Sequence, residues 1–519
     1  MKKLIVVFLT SLVMLSMLFV GQNTGNGNIA ASMFAEEERT YYSSATLEDS
    51  FSDCTVHVVL NRQESLRFRR LSVRDFPEYN FSGVVCITPG IESAQEQAFA
   101  INSRNFGRLE QIQGSPHSVQ IGEFRRIISL TLSEPSREGV LEAVRRLEKR
   151  SDVISASPNF YEYLEPVFNE HDIRHDYHEA NFAPMSLTVP SGHWGLTRVR
   201  APEAWAITTG SSAIRVAVLD TGIDASHPDL SSVVNRGLAR NFTTENRDVN
   251  TDPHGHGTRV AGIISGSVGL ARNVSLISLR VAIASGSASI NAQVQAIQFA
   301  TTNRIQIINA SLGGTTNDNA RLQAIQNFPG LFVTGAGNER NNNDANPRFP
   351  ANHRNDSTNV MSVAASNSND AWAAWGFLWQ GPASNWGRET VCLFAPGDSI
   401  RSTRTGGGHN SENGTSFAAP FVAATAALML SVNPNLGAHF MRELIILTTN
   451  TSVNSNIRNY CISGGRLDAY MPVRAAYLMN SMRGMSMEDM FDVLARDHGF
   501  DARARLLEAF SSLTFAHLM

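Results

Sequence analysis

Four residues stand where short apolar runs meet glycine-rich turns, and their types suit one reaction. Asp220 ends the run 214–219 and is followed by Thr221 and Gly222. His256 lies in PHGHGT, at the start of an apolar stretch, and Ser416 lies in NGTSFAAP, at the start of a longer one. Asn338 follows the run 331–334 in GAGN. A serine hydroxyl is a weak nucleophile until a base lies within hydrogen-bond reach, and the base needs a third group to fix its tautomer. Ser416, His256 and Asp220 supply those roles. A negative oxygen forming on an attacked carbonyl also needs donors, which the Asn338 side-chain amide and the Ser416 N–H provide. Singly, each residue has an ordinary reading. A serine opening a helix is commonly an N-cap, an aspartate ending a strand commonly starts a turn, and His254 with His256 resembles a metal-ligand pair. As a set they point to attack on a carbonyl by Ser416.

The elements that must hold these residues form a repeating pattern. Apolar runs at 214–219, 275–281, 305–309, 331–334, 359–364 and 390–394 read as strands. Between them, 256–265, 291–302 and 319–326 read as helices, followed by 416–432 and 437–448. Continuously apolar strands alternating with helices predict an α/β fold, a mostly parallel sheet with helices on both faces. In such sheets the working residues gather at the carboxyl ends of the strands. A serine at a helix start also faces unpaired N–H groups and the positive end of the helix dipole.

Three stretches, IRVAVLDTGIDASHPD at 214–229, HGHGTRVAG at 254–262 and NGTSFAAP at 413–420, resemble the motifs of the subtilases, the subtilisin-like serine proteases. They occur in the order Asp, His, Ser of that family. The resemblance covers residues 194 to about 473. It implies a serine endopeptidase acting through an acyl-enzyme, with Asp220, His256 and Ser416 catalytic and Asn338 at the oxyanion. Ser311, Leu312, Gly313 and Gly314 match the family's primary pocket wall, and the segment 279–287, with Ser285 and Gly286, matches its second substrate-binding strand. A peptide would lie extended between the two. The motif G-x-S-x-G is absent around Ser416, against an α/β-hydrolase. Arg259 stands where the family often has histidine, and Phe417 where many bacterial members carry methionine. Asp229 matches a calcium-binding carboxylate of many members, but the loop 265–273 is several residues shorter and Asp229 alone offers too few oxygens for Ca²⁺. The resemblance therefore implies no metal ligand in the chemistry and no required cofactor; structural calcium elsewhere stays open.

The segment ahead of these motifs reads as a precursor. Lys2 and Lys3 precede an apolar run 4–20, the pattern of an export signal, with 30–32 the nearest approach to a cleavage site. A strand at 82–88, a helix at 93–103, strands near 108–113 and at 126–132, a helix at 136–150 and a strand at 152–156 give the order β-α-β-β-α-β, a small ferredoxin-like α+β unit. Val140, Leu141, Val144 and Leu147 share one face of its second helix. Residues 55–60 are a further strand candidate in an ambiguous stretch. By the family resemblance this unit is an inhibitory propeptide closing at 157–161; an ordinary accessory domain is the other reading. The expected layout is a signal at 1–35, an extension at 36–78, the propeptide at 79–165, a linker at 166–193, the peptidase at 194–475 and a helical tail at 476–519. The mature N-terminus falls within 161–191.

The remaining features carry less. His171, His175 and His178 are spaced for a helical face inside a polar linker, and a solvated linker is the simpler reading. Trp372, Trp375 and Trp379 share a face if their stretch is helical, as packing or as a lid. Cys54, Cys86, Cys392 and Cys461 fit no zinc spacing. Three pairings are open to them; Cys54–Cys86 with Cys392–Cys461 is the one that leaves two cleaved halves untethered, and buried free thiols are the alternative. In 519 residues charged side chains make up 17% and the formal net charge is −4, without a long basic block, which excludes a nucleic-acid footprint. Expected partners are polypeptide substrates and the chain's own propeptide, in a secreted monomer; membrane attachment follows only from a retained signal. Two rivals remain: a catalytically silent subtilase acting as a binding module, and a metal-dependent hydrolase built on His254, His256 and the linker histidines.

Overall fold

The computed structural model describes residues 45–61, 71–87, 125–164, 188–375 and 381–481. The expected signal, the helix at 93–103, the strand at 108–113, the linker histidines, Trp379 and the tail beyond 481 lie outside the described residues.

The N-terminal part is a small sheet with a helix on it. Strands β1 (Phe51–Leu60), β2 (Phe81–Cys86), β3 (Ile127–Leu132) and β4 (Val153–Tyr163) pair antiparallel in the order β2-β3-β1-β4. Helix α1 (Arg137–Leu147) starts at Ser136, whose hydroxyl accepts from Gly139 N at 2.9 Å, and buries Val140, Leu141, Ala143, Val144 and Leu147. Here the structure departs from the expected layout. The stretch 51–60, placed in an extension before residue 79, is a central strand of this sheet, with Val56, Val58, Val59 and Leu60 at 0–1% exposure. With His57 buried as well, five consecutive residues from Val56 to Leu60 are covered on both faces, so the stretch lacks the alternation that marks a strand in sequence.

The larger part holds a parallel sheet of seven strands. They are β5 (Arg215–Asp220), β6 (Arg240–Asn241), β7 (Ser275–Arg280), β9 (Ile307–Ala310), β10 (Leu331–Gly335), β11 (Val360–Ser366) and β12 (Leu393–Pro396), ordered β12-β11-β10-β9-β5-β7-β6. A short strand β8 (Ser287–Ser289) sits outside this sheet, and β13 (Ile400–Thr403) and β14 (His409–Glu412) form a hairpin. Each strand of the parallel sheet buries alternate residues against two layers. Val216 and Val218 of β5 join the cluster around helix α5 (Thr415–Val432), with Val422 and Leu428. Ala217 and Leu219 join the opposite cluster, with Ile290, Val294 and Ile297 of helix α3 (Ile290–Thr302). Helix α2 (His256–Ile264) packs beside α5, helix α4 (Asn319–Asn327) beside α3, and helix α6 (Ala438–Leu447) further along. Strand order reverses at β5, whose neighbours are β7 and β9, so a crevice opens at the carboxyl ends of β5 and β9.

Helix α5 is apolar on every side and buried from Thr415 through Leu430. That is the pattern of a central helix rather than a surface one. The small sheet rests on α3 and α4, and a single apolar cluster contains Leu132, Val144 and Phe160 together with Ile290, Ala320 and Phe328.

Two smaller expectations are revised. Residues 371–375 are not helical: Trp372 bridges to Ser366 and Ala374 to Ala383. Trp372 donates to Ser384 O at 2.9 Å and lies edge-on to Tyr460, so it packs against its own domain. A Cys54–Cys86 disulfide is geometrically excluded. Strand β3 lies between their strands, a separation of roughly 9.5 Å, and bridged Cα atoms need less than about 7 Å. Cys392 and Cys461 are buried free thiols, and burial pushes both thiol pKa values up.

Gly262 sits where α2 crosses the hairpin. An added Cβ there would collide with Thr403 Oγ1 and stand 2.7 Å from Ser402 Oγ, and those hydroxyls are held by Thr258 O and Arg259 O. Alanine is otherwise the better helix former. Gly262→Ala should nonetheless lower stability by about 1–3 kcal/mol, read from the denaturant midpoint; an unchanged or raised midpoint would show that the hairpin yields freely.

Candidate active site

The crevice collects side chains from four elements. Asp220 closes β5, with 0% exposure. Its Oδ1 accepts from Thr221 N at 2.8 Å, and both carboxylate oxygens face His256 Nδ1 at 2.8 and 2.9 Å. A carboxylate can only accept, so Nδ1 carries the proton and Nε2 keeps its lone pair. Nε2 has no hydrogen-bond partner in this structure. Such close approach of α2 to β5 depends on Gly257: an added Cβ would collide with Gly222 O and come within 3.0 Å of Asp220 Cβ.

Asp252 was not singled out in the sequence, yet it sets the start of α2. Its Oδ1 accepts from His254 N and Gly255 N at 3.2 and 2.8 Å, and its Oδ2 from Thr258 N and Oγ1 at 2.8 and 2.7 Å. An aspartate before Pro253, ahead of a glycine turn and a helix, is a capping signal that was there to read.

Ser416 is the second residue of α5, following the N-cap Gly414 at φ 153° and Thr415. Its Oγ is turned towards Ser311 O, 3.4 Å away, and Ser311 Oγ donates to Ser416 O at 2.8 Å. The Phe417 ring lies 5.6 Å from the His256 ring, a contact the sequence did not suggest. Asn338 follows β10. Its Oδ1 accepts from Thr415 N at 2.9 Å and Thr415 Oγ1 at 3.1 Å. This leaves the amide nitrogen on the Gly414 side, 3.3 Å from where a Cβ on Gly414 would be. Asp220, His256, Asn338 and Ser416 are thus brought to one crevice, all at 0–2% exposure.

The two expected substrate-binding segments flank it. Ser311, Leu312, Gly313 and Gly314 follow β9, with Ser311 and Leu312 buried and Gly314 paired with Phe349. Ser285 and Gly286 form the turn before β8; the strand itself is Ser287–Ser289, shorter and later than the expected 279–287. The edge of β8 is occupied. β4 runs on past the small sheet and pairs antiparallel with it, Tyr161 opposite Ser289 and Tyr163 opposite Ser287, and Leu164 N donates to Gly286 O at 2.8 Å.

Charge around the imidazole is arranged to hold a proton. Burial works to lower the His256 pKa, but the Asp220 charge and hydrogen bond outweigh it, and the pKa is raised above its ordinary value. His254 is lowered, by burial first and then by the neighbouring His256 charge. Arg259 pairs with Glu412 at 2.6 Å and ties α2 to β14, which gives this departure from the family a structural role. Asp229 does not fit a calcium site here. Its oxygens face Ser267 Oγ and His409 Nε2, the latter at 2.8 Å. Among the described residues no group of three or more His, Cys, Asp or Glu is arranged to hold a metal ion.

The sequence profile described as the subtilase family matches residues 211–464. Subtilisin DY of Bacillus licheniformis is 36% identical over 271 residues, spanning 50% of this chain and 91% of that protein. Alkaline elastase YaB of Bacillus sp. (strain YaB) is 37% identical over 254 residues, 48% of this chain and 61% of that one. Subtilisin Savinase of Lederbergia lenta is 31% identical over 283 residues, 53% and 94%. A solved cold-adapted subtilisin-like serine proteinase overlays with a TM-score of 0.41 and 30% identity over 48% of this chain and 88% of that one. The parallel sheet, the crevice at its switch point and the similarity to subtilisin DY and subtilisin Savinase define a subtilisin-like serine hydrolase. The chain belongs to the subtilase family and is a serine-type endopeptidase.

With both Asp220 contributions removed, burial and the Arg259 charge would act to lower the ring's pKa, opposed by the Asp252 charge. In an otherwise wild-type chain the His256 imidazole should titrate above its ordinary value, and Asp220→Asn should bring it below. Histidine NMR resolves the two; a midpoint unmoved by Asp220→Asn would show that another group sets it.

Proposed function

We propose that Ser416 is the nucleophile, His256 the general base, Asp220 its orienting carboxylate, and Asn338 with the Ser416 N–H the oxyanion donors. The observation that carries the reading is the buried Asp220–His256 Nδ1 contact, which leaves the Nε2 lone pair open at the crevice. The Ser416 Oγ rests on Ser311 O, and rotation about its Cα–Cβ bond turns it towards the ring. Apo-like sites commonly hold this hydrogen bond long and tighten it with substrate. In the reaction Ser416 Oγ attacks the scissile carbonyl as its proton passes to Nε2. That proton then goes to the leaving amine, and water repeats the sequence on the acyl-enzyme. Asp220 stays ionised throughout. No metal or cofactor has a part in these steps.

The chain in this reading is an exported, self-processed precursor. Residues 1–35 are the export signal, and the unit built on β1–β4 and α1 is an inhibitory propeptide, which therefore begins by Phe51. What supports this is the way its last strand enters the cleft as an added strand on β8, the mode in which extended peptides bind sheet edges. Asn159 and Ser157 reinforce the docking at the starts of α3 and α4: Asn159 Oδ1 accepts from Asn291 N at 2.8 Å, and Ser157 Oγ donates to Asp318 at 2.6 Å. Residues 166–193 are the linker, the precursor is cut within 161–191, 194–475 is the peptidase, and 476–519 a C-terminal tail. Ser311–Gly314 and Ser285–Gly286 hold the polypeptide substrate.

Ser416→Ala should abolish peptide hydrolysis and fluorophosphonate labelling, and the purified precursor should stay uncut. Normal processing of that variant would sink self-cleavage; wild-type protein that neither labels nor cleaves would leave a binding module instead. Phe417 carries no sulfur beside the nucleophile. Activity should therefore fade only slowly in peroxide, and rapid loss traced to modification next to Ser416 would contradict this.

A further inference from the structure

Arg321 on α4 is fully buried, at 0% exposure, in a place where a solvated side chain would be expected of an arginine. Its Nη1 donates to Glu162 Oε2 at 2.5 Å and to Gln293 Oε1 at 3.1 Å, and its Nη2 to Thr316 O at 2.8 Å. Gln293 Nε2 donates to the same Glu162 Oε2 at 3.0 Å. The stem of Glu162 lies over Gly314, where an added Cβ would stand 3.0 Å from Glu162 Cγ. Glu162 is the only member of this group that belongs to the N-terminal unit. The cation, the amide and the bare glycine floor all belong to the peptidase domain and stay when the unit leaves. Two buried polar atoms, Arg321 Nε and Glu162 Oε1, have no partner.

A buried ion pair loses heavily when one partner is removed, because the other charge is left uncompensated. The guanidinium is already aimed by Gln293 and Thr316, so a second carboxylate entering the socket meets a preorganised donor set. Glu162 lies opposite Ala288 in the β8 ladder, two residues before Leu164, so both side chains leave the strand on the same face. Leu164 is buried in the cluster with Ala288 and Leu312. We propose that Arg321, Gln293 and Gly314 form a carboxylate subsite of the substrate cleft, so that the released enzyme favours polypeptides with a glutamate two residues before the side chain seated as Leu164 is. The inference rests on the reading of residues 161–164 as lying along the substrate path.

The test uses released wild-type enzyme and two synthetic peptides with the sequence of residues 157–172, one natural and one with Glu162→Gln, as competitors of a chromogenic peptide. The natural peptide should bind about tenfold or more tightly than the glutamine form, the strength expected of a charge-assisted pair over a neutral one. Arg321→Gln enzyme should lose that difference. Equal inhibition of wild-type enzyme by the two peptides overturns the subsite while leaving the protease reading intact. Absence of both chromogenic hydrolysis and fluorophosphonate labelling overturns the protease reading and the subsite with it. If Arg321→Gln does not fold, the comparison on wild-type enzyme decides alone.

Discussion

The structure depends on the burial of one helix. Thr415–Val432 has no polar face, so it is stable only if surrounded. The parallel sheet covers one side, and α2, α6 and the helix Tyr470–Ser481 cover the others. This fixes the first turn of the helix, with Ser416, at the carboxyl ends of the strands. The same packing brings α2 against α5, and with it His256 to Asp220. A side chain at the end of a core helix has little freedom to drift, which is what the proposed role of Ser416 requires.

Close approach is bought with glycine. Gly257 lets α2 meet the end of β5, Gly262 lets it meet the hairpin, and Gly414 adopts a φ of 153° two residues ahead of Ser416. Side chains then lock what the glycines allow. Asp252 holds the turn before α2, Arg259 with Glu412 holds α2 to β14, and Asn338 with Thr415 holds the start of α5 to the end of β10.

The N-terminal unit uses the same physics from outside. Its sheet shares an apolar core with α3 and α4, its Asn159 satisfies an N–H at the start of α3, and its last strand satisfies the open edge of β8. A segment that pairs with the edge a substrate would use has the geometry of an occupant of the cleft. At Asp229, the position that resembles a family calcium ligand, Ser267 and His409 stand instead as partners.

The sequence by itself determined the peptidase architecture and the four residues of the crevice. Long apolar runs alternating with helices leave few arrangements, and residues at strand ends and helix starts are local features that spacing reveals. The buried face of α1 is legible in the same way, from the spacing of Val140, Leu141, Val144 and Leu147. What only the tertiary structure decided depends on contacts between distant segments. Strand β1 reads ambiguously because a strand buried on both faces loses its alternation. The Cys54–Cys86 bond fails because β3 comes between the two strands. Glu162 and Arg321 are separated by 159 positions, and neither has a local signature. The residue types make Asp220 and His256 partners, but the 2.8 Å contact exists because a sheet and a helix, whose paired residues are 36 positions apart in sequence, pack over a position with no side chain.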